Sequence, residues 1–358
     1  MEWKTIALTT LIVSLCFLAI PIKVGPADNG TNSTEQTKLF EEYVDQYQKP
    51  YRHNPDEYQK RFSRFQESLK TIETLNKQRK SNSDARYGVT KFSDMSEEEF
   101  LQLHLRPDLP TRSEKHHQSV NHHDHALDRS KRAPVVIPDK FDWRDQKVVT
   151  SVKTQGVCGA CWAFSTIGVI ETLFALKNGT LQSLSVQEMI DCAKNDNNGC
   201  EGGDICSLLS WLVATKTKIV PESNYPFIRK TDTCKLQKAS MKTQTGIRVS
   251  DYTCDSYVKA EDKLLSTIVN KGPVATAVNA LSWQNYLGGV IQYHCDGAYT
   301  SLNHAVEIVG YDKTGPIPFY IVKNSWGPSF GDKGYLYIAI GSNVCGIAHQ
   351  ASTINIVP

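Results

Sequence analysis

Three residues of this 358-residue chain sit in segments that would make them reactive together: Cys161, His304 and Asn324. Gln155-Gly156-Val157-Cys158-Gly159-Ala160-Cys161-Trp162-Ala163-Phe164-Ser165 leads from a polar turn into an apolar stretch with helical spacing. That stretch runs from Cys161 to Leu176 and stops before Asn178-Gly179, a helix C-terminal signal. A thiol attacks a carbonyl only as the thiolate. A helix N-terminus favours that anion through its partial positive charge and unpaired N–H groups, and a neighbouring imidazolium lowers the thiol pKa further. The backbone N–H of Cys161 is also placed to receive an oxyanion. His304 heads the β-branched run Leu302-Asn303-His304-Ala305-Val306-Glu307-Ile308-Val309, and Asn324 closes a later apolar run in Val322-Lys323-Asn324-Ser325-Trp326-Gly327. Alone, a histidine at the head of a strand is more often a hydrogen-bonded structural group. An amide that accepts from one ring nitrogen would instead hold it in one tautomer, ready to act as a base. The bland alternative for Cys158 and Cys161 is a redox dithiol or half of a zinc site. The first calls for a βαβ setting that the surrounding pattern lacks, and the second for another close ligand pair that does not follow.

Those side chains need a scaffold, and the pattern around them predicts one. A second helix is expected over Val186–Cys192. Beyond Gly272 come β-rich pieces at Val274–Val278, His304–Val309, Phe319–Lys323 and Tyr335–Ala339. Helices first and strands later imply an α+β body in two halves, with a cleft between them as the natural ligand site. Upstream, Lys4 precedes an apolar stretch from Ile6 to Ile20 that reads as a secretory signal, an uncleaved signal anchor being the alternative. A polar segment, Gly25 to Gln36, is followed by a helical region from about Leu39 to Lys80, in which Glu57, Arg61, Phe65, Ile72 and Asn76 share a face. Ser96 to Glu99 reads as a further helix start. Residues 105–132 are polar, hold His116, His117, His122, His123 and His125, and end in Arg129-Ser130-Lys131-Arg132, the signature of an exposed linker open to cleavage. A formal charge of +2 with no long basic run argues against nucleic-acid binding. Ten cysteines fit an oxidising compartment. Asn29, Asn32 and Asn178 each begin an N-x-S/T acceptor, which points the same way.

The Gln155–Ser165, Asn303–Tyr311 and Asn324–Gly327 segments together resemble the nucleophile, histidine and asparagine motifs of the papain-like cysteine proteases, peptidase family C1, with Ala160 where serine is usual. The resemblance implies a papain-like two-domain fold, a helical left domain and a β-barrel-like right domain. It implies that Cys161 attacks a peptide carbonyl, that His304 is the general acid and base, and that Asn324 orients it. Gln155 and the Cys161 N–H would form the oxyanion hole, and Trp326 would cover the His304–Asn324 hydrogen bond, with Phe330 where a second tryptophan is usual. Gly202 and Gly203 would pair with substrate backbone, and Asp204, Ile205, Ala277, Asn303 and Gln350 would border the S2 pocket as a polar floor with an acidic rim. The same likeness implies disulfides Cys158–Cys200, Cys192–Cys234 and Cys295–Cys345. Cys206 and Cys254 lie outside that pattern and are either a fourth bridge or two buried thiols. No cofactor or metal is implied. Protein and peptide substrates are, along with cystatin-like inhibitors and a monomeric state.

Two further segments resemble the propeptides of cathepsin L-like members. Glu57, Arg61, Phe65, Ile72 and Asn76 follow their E-R-F-N-I-N pattern with Ser68 in place of an asparagine, and Gly88, Phe92 and Asp94 follow the companion G-x-N-x-F-x-D pattern with Thr90 substituted. The implied organisation is a signal peptide (1–24), an inhibitory propeptide (25–132, helical over 39–100) and a mature peptidase (133–358). Conversion would come by cleavage between Arg132 and Ala133, in a lysosomal or extracellular setting. The linker histidines are either an acid sensor or simply solvated. No long insertion separates Gly203 from Pro226, so the cleft is expected to be open at both ends, as in an endopeptidase. Phe141–Asp145, Ser282–Gly289 and Gly341–Ala348 point to one branch of the family. A binding module of this fold without turnover is the other class of reading, but such a protein would be expected to lose one of Gln155, Cys161, His304 or Asn324.

Overall fold

The structure, a computed structural model, describes residues 33–106, 137–236 and 246–357. The signal segment, Asn29, Asn32, the five linker histidines and the Arg132–Ala133 bond lie outside the described residues.

Two prolines and an asparagine shape the N-terminal part. The first helix, α1 (Ser33–Gln46), begins inside the segment expected to be merely polar and buries Phe40, Tyr43 and Val44. A single-turn 3-10 helix, Pro50–His53, follows. Asn54 then caps α2 (Pro55–Lys77) by accepting from the Glu57 N–H, with Pro55 in the first turn. The expected continuous region from Leu39 to Lys80 is therefore two helices, because proline cannot supply the N–H that an uninterrupted helix requires. Phe65, Ser68 and Ile72 form the buried face of α2. Arg61 and Asn76 use polar ends of that face: Arg61 bonds Glu57 and Glu99, and the Asn76 amide exchanges two bonds with the Tyr87 backbone. Strand β1 (Arg86–Tyr87) leads to α3 (Glu97–His104), where Ser96 and Glu99 make a reciprocal capping box.

The body contains β2 (Lys140–Asp142), α4 (Cys161–Asn178), α5 (Val186–Cys192), α6 (Ile205–Thr215), β3 (Lys218–Ile219), β4 (Ile247–Asp255) and α7 (Glu261–Lys271). It continues with β5 (Val274–Val278), β6 (Tyr286–Gly288), β7 (Val290–Ile291), β8 (His304–Asp312), β9 (Phe319–Lys323), β10 (Tyr335–Ala339) and β11 (Ala351–Val357). The main sheet runs β3-β4-β11-β5-β8-β9-β10-β7, with β2 paired to β8, and β1 pairs with β6 in a separate ribbon. From Cys161 to Leu173 every residue of α4 is buried, as expected for a helix apolar all round, and Gly179 ends it with φ 71°. Packed around α4 is one core of Trp162, Met189, Leu208 and Leu212. The second core, built on Trp283, Tyr286, Tyr320 and Ile338, also takes in Phe40, Phe65, Phe92 and Phe100 from the N-terminal part. The body is thus α+β in two halves, and the N-terminal helices share a core with the β half.

Candidate active site

Ala160 precedes α4 without a side-chain cap, and its carbonyl takes the Ala163 and Phe164 N–H groups, which leaves those of Cys161 and Trp162 facing the sulfur. The backbone N–H groups of Ala305, across the cleft, and of Trp162 and Cys161 favour the anionic form of the Cys161 sulfur. Burial outweighs these contacts and pushes the thiol up to about 11, while the Ala305 N–H and the Arg106 guanidinium oppose it.

His304 stands one residue before Ala305 at the start of β8, fully buried. Its Nε2 lies 2.8 Å from Asn324 Oδ1, and the Ser325 N–H donates to that same oxygen at 2.8 Å. A backbone N–H can only donate, so the atom it meets is the amide oxygen. Nε2 therefore carries the ring proton, and Nδ1 is left without a hydrogen-bond partner. Burial holds His304 down at about 4, against the Asn324 bond. Between those two values sulfur and ring are both uncharged. The Trp326 ring lies over the imidazole at 4.8 Å between centroids, and Trp283 meets it edge-on at 6.1 Å. Phe330 packs edge-on against Trp326 at 4.8 Å and is itself buried, so the smaller ring still closes the shield. Gln155 is buried beside them: its Oε1 accepts from Ser325 Oγ and its Nε2 donates to Cys158 O at 3.0 Å.

The cleft is filled from the N-terminal part. The Arg106 N–H donates to Asn303 O at 2.7 Å. Its guanidinium lies against Gly202, where a Cβ would fall 1.9 Å from Arg106 Cζ, so only glycine leaves room there. His104 packs at 4.6 Å on the Phe92 ring, and Phe92 and Phe100 both meet Trp326 edge-on, at 5.5 and 5.4 Å. Lys91 Nζ donates to Trp326 O at 2.6 Å, Thr90 Oγ1 to Gln284 O at 2.6 Å, and Ser93 Oγ to Asn285 Oδ1 at 2.7 Å. The residue at the substituted position, Thr90, is therefore itself an anchor.

Asp204 and Gln350 come together, and both carboxylate oxygens of Asp204, expected as an acidic rim, are engaged. Asp204 Oδ1 accepts from the Ser207 N–H as the cap of α6, and Oδ2 accepts from Gln350 Nε2 at 2.7 Å. Ala277 pairs with Ala305 in the sheet and donates its N–H to Gln350 O, while Ile205 is buried in the first turn of α6.

Residues 137–355 match the family described as papain family cysteine protease, and residues 40–100 match the cathepsin propeptide inhibitor domain (I29). The chain belongs to the papain family of cysteine proteases. Cathepsin O of Homo sapiens is 41% identical over 81% of this chain and 86% of its own length. Among solved structures, procathepsin L2 proteinase from Tenebrio molitor larval midgut is 33% identical, with a TM-score of 0.76 over 89% of this chain and 99% of that one. A recombinant stem bromelain precursor is 30% identical, with a TM-score of 0.72 over 89% and 98%. This papain-family chain therefore carries an inhibitory propeptide ahead of its peptidase.

Four disulfides brace the papain-like body: Cys158–Cys200, Cys192–Cys234, Cys295–Cys345 and also Cys206–Cys254. Cys161 is the free cysteine among the described residues. The acceptor Asn178 is exposed at the end of α4. Sequence reasoning missed His104, Arg106, Trp283 and Ser325. No local signal marks them. Each acquires its place only when a distant segment folds against it.

Proposed function

We propose that the chain is the zymogen of a cysteine endopeptidase that travels the secretory pathway to a lysosome or the cell exterior. One observation carries the chemistry. His304, hydrogen-bonded to Asn324, opens a strand whose next residue, Ala305, presents its backbone N–H to the side of the cleft that holds the Cys161 sulfur and favours its anion. Once the propeptide leaves and water returns, the desolvation that keeps both groups neutral falls, and the thiol proton passes to His304 Nδ1. The thiolate attacks the scissile carbonyl carbon, and the oxyanion takes hydrogen bonds from the Cys161 N–H and from the Gln155 side-chain amide. Collapse of the adduct expels the amine, protonated by His304, and leaves a thioester. His304 then takes a proton from water as it attacks the thioester, which releases the acid and restores the thiol.

The organisation that fits is a signal peptide over 1–24, a propeptide over 25–132 and a mature enzyme over 133–358, released between Arg132 and Ala133. N-glycans would sit on Asn29, Asn32 and Asn178. Extended substrate backbone lies along Gly202 and Gly203, and Gln350, tied to Asp204, makes a polar S2 floor beside Ala277 and Asn303. Cystatin-like proteins are the expected inhibitors. Titration of mature enzyme with an epoxide thiol inhibitor, followed by cleavage of a peptide library, tests this reading. Stoichiometric labelling of Cys161 with internal cleavage of peptides is expected, and Cys161→Ser should lose both. Labelling without turnover would leave a binding module instead. Removal of residues only from chain ends would make the enzyme an exopeptidase.

A further inference from the structure

Behind the catalytic groups lies a buried charge cluster that the mechanism above does not use. Glu307 follows His304 on β8, on the face that carries Ala305 and packs against α4. Lys323 immediately precedes Asn324 and is the direct cross-strand partner of Glu307 between β8 and β9. Their side chains meet at 3.3 Å between Nζ and Oε2, with exposures of only 8% and 3%. The carboxylate also rests on the nucleophile's helix. A Cβ on Gly168 would fall 2.4 Å from Glu307 Oε2, and Thr172 Oγ1 donates to Glu307 Oε1 at 3.4 Å. Gly168 lies two turns beyond Cys161 on the same helical face. Lys323 Nζ continues to Thr150 Oγ1 at 3.1 Å; Thr150 donates to Glu171, which also pairs with Lys153. Lys153 also pairs with the half-exposed Glu222 at 3.0 Å, and a small cavity beside the cluster is lined by Gly168, Glu171, Glu307, Lys323 and Asn324.

A residue on each of the three catalytic elements therefore converges on one carboxylate: Gly168 from the helix that starts at Cys161, Glu307 from the strand that starts at His304, and Lys323 from the strand that ends at Asn324. We propose that Glu307 and Lys323 form a positioning pair that sets the spacing between the Cys161 helix and the His304 and Asn324 strands. The inference rests on the catalytic roles assigned to those three residues. A buried ion pair holds geometry well because an unpaired charge in the interior is costly, so the two strand ends and the helix have one favourable arrangement. Gly168 belongs to the device, since any side chain there displaces the carboxylate.

The experiment compares activated wild type, Glu307→Gln, Lys323→Met, the double variant and Gly168→Ala, each expressed as the full proenzyme. Glu307→Gln is expected to lower kcat about tenfold with KM unchanged and to slow iodoacetamide alkylation of Cys161 in parallel. Gly168→Ala should do the same. The double variant, in which no charge is stranded, should recover thermal stability but not kcat, separating positioning from support of the fold. The proposal is overturned if the singles keep wild-type kcat while losing stability, or if the double variant regains full kcat. If Glu307→Gln does not fold, the double variant and Gly168→Ala still decide. An inactive wild type that resists the epoxide inhibitor would instead indict the catalytic assignment itself.

Discussion

A hydrogen bond fixes more at His304 than its length suggests. The Ser325 N–H and the His304 ring share one Asn324 oxygen, and that sharing decides which ring nitrogen keeps its proton. Replacing Asn324 with Ala leaves the ring free to rotate and to change tautomer, so kcat/KM for peptides should fall about a hundredfold. Steady-state kinetics on the mature variant checks this, with wild-type far-UV circular dichroism expected. The sulfur responds to its surroundings in the same way. In the proenzyme burial pushes the thiol up to about 11 and holds the imidazole down at about 4, so neither ionises at pH 6. Alkylation of Cys161 by iodoacetamide at that pH should be slow in the proenzyme and faster by orders of magnitude after maturation. Equal rates would mean that the propeptide does not control ionisation.

At the scale of elements, α6 links the Asp204–Gln350 corner to the sheet. Asp204 caps the helix, Gln350 from the loop before β11 ties onto that cap, and Cys206 in the first turn is bridged to Cys254 on β4. The bridge spans 48 residues of sequence. Loop-closure entropy for a span of that size is worth about 4 kcal/mol. The Cys206→Ser, Cys254→Ser double variant should lose stability of that order in denaturant unfolding. It should also broaden selectivity at the residue occupying S2, because Gln350 Nε2 donates to Cys206 Sγ at 3.0 Å as well as to Asp204. A variant as stable as the parent would show that packing of α6 alone holds this corner.

The whole molecule is one peptidase closed by its own N-terminal part, and the closure contains a group able to read acidity. His104 is buried against Phe92 and Phe100, with Lys91, Lys49 and His304 nearby, and burial lowers it to about 4. Once released, its pKa returns to about 6.5. Above that pH the residue is neutral in both states and docking is unaffected. As pH falls below it, the released form takes a proton that the docked form refuses, so docking weakens roughly tenfold per unit until about pH 4. His104→Gln should therefore flatten the rise of autoprocessing rate between pH 6.5 and 4. Replacing the five linker histidines tests the competing sensor. If only that change flattens the profile, His104 is not the trigger.

Much of this protein was legible from local signals. The bounds of α5, β5, β9 and β10 and the caps at Ser96 and Gly179 follow from periodicity, capping and residue type, all of which act within a few neighbours, whereas the pairing of the reactive segments rests on resemblance to a known family. Strands β4 and β11 escaped because polar strand positions become readable only once a partner strand fixes their faces. Tertiary structure alone decided that Cys206 meets Cys254, that Asp204 serves as a cap rather than a free acidic rim, that Arg106 and His104 fill the cleft, and that Glu307, Lys323 and Gly168 converge. Each of those depends on which distant surface a side chain meets. Chain closure, not the identity of sequence neighbours, sets that choice.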